Sequence, residues 1–344
     1  NYFENSSESF VKAEIAGLKL ENIKIRSVFH QIYAETDSAT ISKLSSLDWV
    51  QNIELSAPPA ELENNHGLTL HRSNVLNATI PGLGYGLTGK GVKLGLWDND
   101  VYQHRDFSGR VINREYEAHG SDHGTHTCGT IGSAGIIDPL AKGMAPEITV
   151  YAWNFNIQSN GLDVPSERLI SLDEDGIELT SNSWGYTVSS CPNVMPYNTE
   201  DHNDDLITNW YPYFLYVTSA GNTQSKCPDG FSTSSKNIKN ALVVGAVDQS
   251  DRMSSFSSFG PANDGRLLPN ICGDGVDVLS TFFDNGYGIY SGTSMSTPGV
   301  AGTMALIYQR YKDTHGGKRP DAAFLRALAC NTATDQGNPG PDYK

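Results

Sequence analysis

Several features that mark particular protein classes are scarce in this sequence. Its 344 residues include 24 lysines and arginines against 39 acids, a formal net charge of −15. Nucleic-acid binding needs clustered basic residues that displace counterions, so this balance argues against a nucleic-acid partner. Apolar runs fall short of the roughly eighteen residues of a membrane span, and we expect none. The 5 cysteines form no CxxC pair, which disfavours a structural zinc site.

The chain also begins without a methionine or the apolar core of a signal peptide, so we interpret it as a piece of a longer precursor. Its cysteines fall into two groups. Cys191 and Cys227 lie in polar, turn-rich stretches and could pair as a disulfide, whereas Cys128, Cys272 and Cys330 have small or apolar neighbours and are expected to pack as small hydrophobes.

Residues 1–56 read as a small α+β unit followed by a linker. The patterning predicts a helix, one or two strands, a capped helix and a strand, over residues 8–20, 22–35, 38–48 and 50–56. Residues 57–70 contain two prolines, two acids and few large apolar residues, which is typical of a linker between domains.

Beyond the linker, compact apolar runs alternate with helical stretches. Strands are predicted over residues 92–97, 148–153, 178–184, 212–220 and 241–247, and helices over 126–134 and 201–211. This alternation predicts an α/β fold with a largely parallel, doubly wound sheet and helices on both faces. Ligands bind such sheets at the carboxyl ends of the strands.

Two candidate reactive groups lie where that rule places them. Asp98 stands directly after the strand 92–97, although an aspartate there is also a common turn former. His123 and His126 belong to HGTHTCG, and a third ligand at zinc spacing is missing, so a metal is disfavoured. His123 can instead act as a general base in the first turn of a helix, with His126 packed inward.

Two further motifs can supply a nucleophile and an oxyanion donor. Ser294 lies in GTSMSTP, before an apolar stretch with helical periodicity, where a helix N-terminus favours developing negative charge. The alternative is that Ser294 caps the helix. Asn222 ends SAGN, where its amide can donate to an oxyanion or simply form a turn.

In the order WDND, HGTHTCG, SAGN and GTSMSTP, these motifs match a known pattern, and the chain resembles the subtilisin-like serine proteases (subtilases) from about Arg72 to Asp342. The resemblance implies that Asp98 is the orienting acid, His123 the general base, Ser294 the nucleophile and Asn222 the oxyanion-hole donor. It also implies a subtilisin-like α/β fold and a catalytic mechanism that needs no cofactor.

The resemblance also implies which residues bind the substrate. Ser183, Trp184 and Gly185 in SNSWG would bind substrate by strand addition, although Trp184 could equally belong to the core. The substrate-binding set further includes three residues of SAGN, namely Ser219, Ala220 and Gly221. The loop from Thr223 to Lys236, with Lys226 and Asp229, would wall the same pocket.

One position suggests a cation, and two depart from the family pattern. Asp106 in HRDF matches a position that often ligates calcium in relatives, which predicts a structural calcium site. Asp100 replaces the usual glycine of Asp-Thr-Gly, and ICGDG stands in place of an Ala-Pro-Gly turn. We expect Asp100 to point to solvent at the strand end.

The N-terminal unit resembles a subtilase propeptide that lacks a first strand. In that family the propeptide assists folding and lays its C-terminal tail in the active-site cleft. The resemblance thus implies a propeptide over 1–56, a tail with the maturation site over 57–70, and a catalytic domain over 71–344 that stops short of the family's closing segment.

The sequence therefore predicts a secreted, monomeric endopeptidase in zymogen form. Its expected partners are protein and peptide substrates and its own propeptide. Two alternatives stay open, namely a transpeptidase or peptide cyclase that shares the acyl-enzyme, and a catalytically silent binding or scaffold protein on the same fold.

Overall fold

A computed structural model describes most of the chain, in two compact units, Asn1–Pro58 and Pro59–Lys344. The described residues are 11–26, 31–53, 60–62, 73–79, 84–115, 120–156, 162–186, 193–194, 196–227, 231–233 and 237–335.

The N-terminal unit contains an antiparallel strand pair and a helix. Strands β1 (Leu20–Arg26) and β2 (Gln31–Thr36) form the pair, as the alternation over 22–35 predicts. Helix α1 (Ser38–Leu44) begins after Asp37, whose carboxylate accepts a hydrogen bond from the Thr40 N–H at 2.8 Å. The strand predicted over 50–56 is absent from residues 50–53, and the remainder lies outside the described residues.

The second unit is built on a seven-stranded sheet in which every described neighbour pair is parallel. Its strands in chain order are β4 (Lys93–Asp98), β5 (Val111–Asn113), β6 (Thr149–Asn154), β7 (Leu179–Asn182), β10 (Val217–Ser219), β12 (Leu242–Val247) and β15 (Ile271–Asp274). They lie side by side in the order β15-β12-β10-β7-β4-β6-β5. The chain adds β5 and β6 on one side of β4 before it crosses to β7, so the carboxyl ends of β4 and β7 flank the switch point of the sheet.

Short strand pairs and helices complete the second unit. Strand β3 (Ala60–Leu62) pairs antiparallel with β8 (Trp184–Tyr186); the other pairs are β9 (Asn193–Val194) with β11 (Ser232–Thr233), β13 (Gly260–Pro261) with β14 (Leu267–Leu268), and β16 (Val278–Thr281) with β17 (Tyr287–Tyr290). The α-helices are α2 (Ser73–Asn77), α3 (Asp122–Gly132), α4 (Val164–Ile170), α5 (Thr199–Trp210), α6 (Thr293–Thr314) and α7 (Ala322–Thr332). Within the described helices, none has both the length and the hydropathy needed to cross a bilayer.

Side-chain alternation along the strands separates two layers of helices. On β4, Leu94 and Leu96 join a buried core that contains Ile131 of α3 and Val300 of α6. Trp97 points to the opposite face, where its ring nitrogen meets a side chain of α4. The sheet is therefore covered on both faces, as the apolar runs predict.

Three predicted strands end earlier or later than their apolar runs. The run 92–97 extends to Asp98, which becomes the last residue of β4. The run 178–184 is interrupted at Ser183, which lies between β7 and β8, and only 217–219 of the run 212–220 forms β10. Hydropathy measures burial, and Ser183, Phe214, Tyr216 and Ala220 are buried without belonging to a strand, whereas Pro212 is exposed.

The cysteines follow the prediction in part. Cys227 is disulfide-bonded, and its candidate partner Cys191 lies outside the described residues. Cys128, Cys272 and Cys330 are free. Burial raises the pKa of the Cys128 thiol and brings that of Cys272 to about 12. Cys330 is exposed at the end of α7, so its prediction as a buried small hydrophobe was wrong.

Candidate active site

Asp98 is fully buried at the carboxyl end of β4 and accepts three hydrogen bonds. His123 Nδ1 lies 2.6 Å from its Oδ1, which also accepts the backbone N–H of Asn99 at 2.8 Å. The hydroxyl of Thr127 donates to Oδ2 at 2.9 Å. These bonds fix both oxygens of the carboxylate, so it can hold the imidazole in one orientation.

His123 lies in the first turn of α3, and the turn approaches β4 closely. The helix begins after Ser121, whose hydroxyl accepts the His123 N–H at 3.2 Å. A Cβ on Gly124 would come within 2.2 Å of the Asn99 carbonyl oxygen, so glycine is required there for the helix to approach. His126 packs inward and contacts the Val278 carbonyl at 3.0 Å through Nε2, as predicted.

Ser294 is fully buried in the first turn of α6, two residues after the N-cap, Gly292. The alternative that Ser294 caps the helix is therefore wrong. Its hydroxyl instead donates to the Ser183 carbonyl at 3.1 Å, and the Ser183 hydroxyl donates back to the Ser294 carbonyl at 2.9 Å. This reciprocal pair joins α6 to the connection between β7 and β8.

Asn222 presents a free donor beside this serine. Its Oδ1 accepts the backbone N–H and the hydroxyl of Thr293, at 2.9 and 3.1 Å. Its Nδ2 is buried and has no hydrogen-bond partner in the described part of the chain. A buried unpaired donor is costly unless it has a use, and a developing oxyanion would provide a partner.

The structure thus brings the four predicted reactive residues to one edge of the sheet. Asp98 contacts His123 directly, and Asn222 is tied to Thr293, the neighbour of Ser294. The helices that carry His123 and Ser294 pack against each other. The arrangement contains an orienting acid, an imidazole, a hydroxyl and an amide donor, which is the set needed for acyl transfer.

The predicted substrate-side residues lie at or after the carboxyl ends of β7 and β10, and one of them, Ser183, contacts Ser294 directly. Trp184 is 5% exposed and stacks on Phe155 with ring centroids 4.9 Å apart, so it also serves as a core residue. Gly185 pairs with Glu61 of β3. Three residues around the end of β10 are buried, namely Ser219, Ala220 and Gly221. Lys226 is exposed, and Asp229 lies outside the described residues.

Asp100 does not point to solvent, so that expectation was wrong. Its side chain is buried and accepts a hydrogen bond from Asn154 Nδ2 at 2.7 Å. Asn154 ends β6, the neighbour of β4, and provides the partner that a buried carboxylate needs. A sequence pattern along β4 alone contains no information on this neighbour.

Asp106 is fully buried, and hydrogen-bond donors surround its carboxylate. Oδ1 accepts the N–H groups of Ile136 and Ile137, and Oδ2 accepts the hydroxyls of Ser133 and Tyr287. Calcium is bound by oxygen ligands, which N–H donors cannot replace. These surroundings do not fit a calcium ion, and calcium at Asp106 stays a prediction without support from this geometry.

A profile of the subtilase family matches residues 89–344, well over half of the sequence. The chain belongs to the subtilase family. Among its relatives is serine protease AprX of Bacillus subtilis, 28% identical over an alignment that covers 90% of this chain and 76% of AprX. Subtilisin BL of Lederbergia lenta is 32% identical over 65% of this chain and 79% of its own length.

Solved structures agree on the fold of this subtilase. A cold-adapted subtilisin-like serine proteinase superposes with a TM-score of 0.52 at 22% identity, covering 72% of this chain and 84% of that one. The self-cleaved protease domain of PatA gives 0.55 at 20% identity, covering 72% and 91%. At these identities the likeness concerns architecture alone.

Two residues of the site were missed by the sequence analysis. Thr127 holds Asp98, and Thr293 holds both Asn222 and the Gly221 N–H, the latter at 3.2 Å. Thr127 follows His123 by four residues, so both share one helix face, a signal that periodicity contains. Thr293 offers no such signal, since its partners come from a distant part of the sequence.

A buried carboxylate lies behind Asp98. The Trp97 ring N–H donates to Glu167 Oε2 at 2.9 Å, and Glu167 is fully buried on α4. Desolvation, reinforced by the charge of Glu115, raises the pKa of Glu167 to about 8, although the Trp97 bond and Arg168 oppose the shift.

This pKa predicts a pH effect on stability. Between the ordinary value of 4.5 and about 8, folded Glu167 holds a proton that the unfolded chain has released. Its contribution to the free energy of unfolding therefore falls as pH rises through this window. In Glu167→Gln that fall is absent. Denaturant unfolding should therefore show that the free energy of unfolding of the variant increases relative to that of the wild type from pH 5 to pH 9. If the difference in free energy of unfolding between variant and wild type is the same at pH 5 and pH 9, the raised pKa of Glu167 is contradicted.

The surroundings of Asp106 predict a response to mutation that calcium does not modify. Asp106→Asn places an NH₂ group against donors and should lower the free energy of unfolding by about 2 kcal/mol. The change in melting temperature between calcium and a chelator should be the same for the wild type and for the variant. Loss of a calcium response in the variant alone would identify Asp106 as a ligand.

Proposed function

We propose that this subtilase is a secreted serine endopeptidase that cleaves peptide bonds through Asp98, His123 and Ser294. The observation that carries the proposal is the 2.6 Å contact between His123 Nδ1 and the buried Asp98 carboxylate, beside a helix start that presents Ser294. The family membership and the name of AprX, a serine protease, support the same reaction class.

The reaction starts when His123 removes the proton of Ser294 Oγ as this oxygen attacks a peptide carbonyl. Oγ must first exchange its Ser183 acceptor for the imidazole. Asp98 keeps Nδ1 protonated and stabilises the imidazolium. Asn222 Nδ2, which lacks another partner among the described residues, donates to the oxyanion.

The intermediate then collapses as His123 returns the proton to the leaving amine, and the acyl group stays on Ser294. Water attacks the ester carbonyl and His123 takes the water's proton. The second intermediate then collapses as His123 returns that proton to the departing Ser294 Oγ, which releases the acid product and regenerates the enzyme. Nucleophile, base, acid and oxyanion donor all come from side chains, so the proposed reaction requires no cofactor.

Substrates would bind as an added strand along Ser183, Trp184 and Gly185. Support comes from β8, which already pairs antiparallel with the extended segment β3. Backbone pairing is tolerant of sequence, so side-chain preference would arise in the pocket bordered by Ser219, Ala220 and Gly221.

The chain itself supplies an occupant for this strand, and we extend the proposal to a zymogen. Residues Ala60–Leu62 lie in the segment that the sequence analysis assigns to a propeptide tail, and they occupy the pairing edge of β8. The AprX match covers 90% of the chain and so extends into the N-terminal unit. The proposed enzyme is latent until the chain is cut beyond β3.

The remaining parts of the proposal concern the location of the enzyme and its oligomeric state. We assign the enzyme to the exterior of the cell, where a net charge of −15 maintains solubility and where cleavage of foreign protein and peptide substrates is useful. We also propose that it acts as a monomer, because the four reactive residues all belong to one unit of one chain.

Loss of Ser294 or Asn222 tests the chemistry. Ser294→Ala should abolish peptide hydrolysis and labelling by a fluorophosphonate. Asn222→Ala should lower kcat by about 100-fold to 1000-fold with little change in KM, the loss caused by a missing oxyanion donor in subtilisin, a member of this family. Asn240→Ala, at an asparagine that contacts Asp205, is the control. Unlabelled Ser294 in the processed wild type would favour a silent scaffold, and amide products with an added amine would favour a transpeptidase.

The pairing of β3 with β8 predicts where maturation cuts the chain. Leu62 lies opposite Trp184, so one further step of the register leads to Ser183, whose carbonyl holds the Ser294 hydroxyl. We expect cleavage between Glu63 and Asn64. N-terminal sequencing of purified wild type should start at Asn64, and Ser294→Ala should stay intact. A cut before residue 60, or a processed Ser294→Ala chain, would contradict the prediction.

A further inference from the structure

A single buried guanidinium connects three strands of the sheet. Arg168 on α4 is 2% exposed, and it donates to the Asp204 carboxylate on α5 and, at 3.3 Å, to Asn182 Oδ1. Its planar group also lies over the rings of Trp97 and Tyr216, at 5.3 and 4.8 Å from the ring centroids.

Two of these contacts lie next to residues of the site along the chain, and the third precedes a strand that leads to one. Trp97 directly precedes Asp98 on β4, and Asn182 directly precedes Ser183, the acceptor of the Ser294 hydroxyl. Tyr216 directly precedes β10, the strand that leads to Asn222. Arg168 therefore contacts the carboxyl ends of β4 and β7 and the amino end of β10, the strand that leads to the oxyanion donor.

Arg168 lies on the opposite face of the sheet from His123 and Ser294, so it cannot reach the reacting atoms. Along β4, Leu96 and Asp98 face α3, whereas Trp97 faces α4. Any effect of Arg168 on the reaction must act through the positions of the strands.

Further hydrogen bonds make this contact rigid. Asn182 Nδ2 donates to the Val217 carbonyl at 3.0 Å and to the Thr180 hydroxyl at 2.9 Å, which ties β7 to β10. Glu167, the neighbour of Arg168, accepts the Trp97 ring N–H. The charged and titratable groups that act on Arg168 are Asp204, Tyr216, Glu167 and Glu200, and their charges hold its pKa above the ordinary value against desolvation.

We propose that Arg168 is a positioning residue of the active site, which sets the spacing of β4, β7 and β10, the strands that carry Asp98 or lead to Ser183 and Asn222. The inference rests on the proposed function for the reaction that these groups perform. Arginine suits the role because its flat fork can stack on two rings and donate to two oxygens at once, which lysine cannot do.

A matched control is needed to distinguish positioning from a purely structural role, because breaking any buried ion pair destabilises a protein. The same two strands carry such a pair at their other ends. Lys312 Nζ lies 2.7 Å from Glu178 Oε1, and Glu178 Oε2 accepts the N–H of Lys93, the first residue of β4. Glu178 directly precedes β7. Lys312→Gln therefore loosens β4 and β7 far from their carboxyl ends.

The experiment compares Arg168→Lys with Lys312→Gln in the full chain. Fluorophosphonate titration counts the functional sites, and kcat and KM on a peptide are expressed per labelled site. Arg168→Lys should lower kcat and the labelling rate by about 10-fold to 100-fold with KM within about 3-fold, because small displacements of reacting groups reduce the rate steeply. Lys312→Gln should lower the melting temperature and keep kcat within about 2-fold.

Equal kcat per labelled site in the two variants would overturn the positioning role. If Arg168→Lys does not fold, Asp204→Asn loosens the same guanidinium from its carboxylate on α5, and a kcat equal to that of Lys312→Gln would overturn the proposal as well. Wild-type labelling at Ser294 tests the proposed function separately. A labelled, active wild type with fully active Arg168 variants would refute the positioning role alone.

Discussion

The rest of the site depends on the close approach of α3 to the end of β4. The 2.6 Å contact between His123 and Asp98 exists because Gly124 lets the first turn of the helix reach the backbone of Asn99. Thr127, one turn later, completes the shell of the carboxylate. A buried carboxylate is tolerated only when its oxygens are paired, so folding and orientation of the imidazole have the same physical origin.

A second set of contacts brings Ser294 and Asn222 to the same edge. The reciprocal hydrogen bonds between Ser183 and Ser294 join α6 to β7, and Thr293 joins α6 to the end of β10. Both sets lie at carboxyl ends of parallel strands, where loops leave the sheet and side chains converge. On the opposite face, Arg168 contacts the ends of β4 and β7 and the ring of Tyr216, which directly precedes β10.

Much of this was accessible from sequence, and the failures share one cause. The apolar runs of β4, β6 and β12 predicted their strands within a residue, because burial on both faces leaves a continuous signal. Asp100 was placed in solvent, and Arg168 was not singled out. Their partners, Asn154 and Asp204, come from other elements, and a local pattern cannot report such a neighbour.

The sequence by itself determined the fold class through its apolar periodicity and the family through the resemblance that its ordered motifs carry, and it singled out Asp98, His123, Asn222 and Ser294 as the candidate reactive residues. Only the tertiary structure decided what each polar group faces. It gave Asp106 four donors instead of a calcium shell, and it left Asn222 Nδ2 without a hydrogen-bond partner among the described residues. It also placed Arg168 against β4, β7 and the residue before β10. The physical reason is that hydrogen bonds and charge pairs act over a few ångströms between residues far apart in the chain, whereas hydrophobic patterning acts along it.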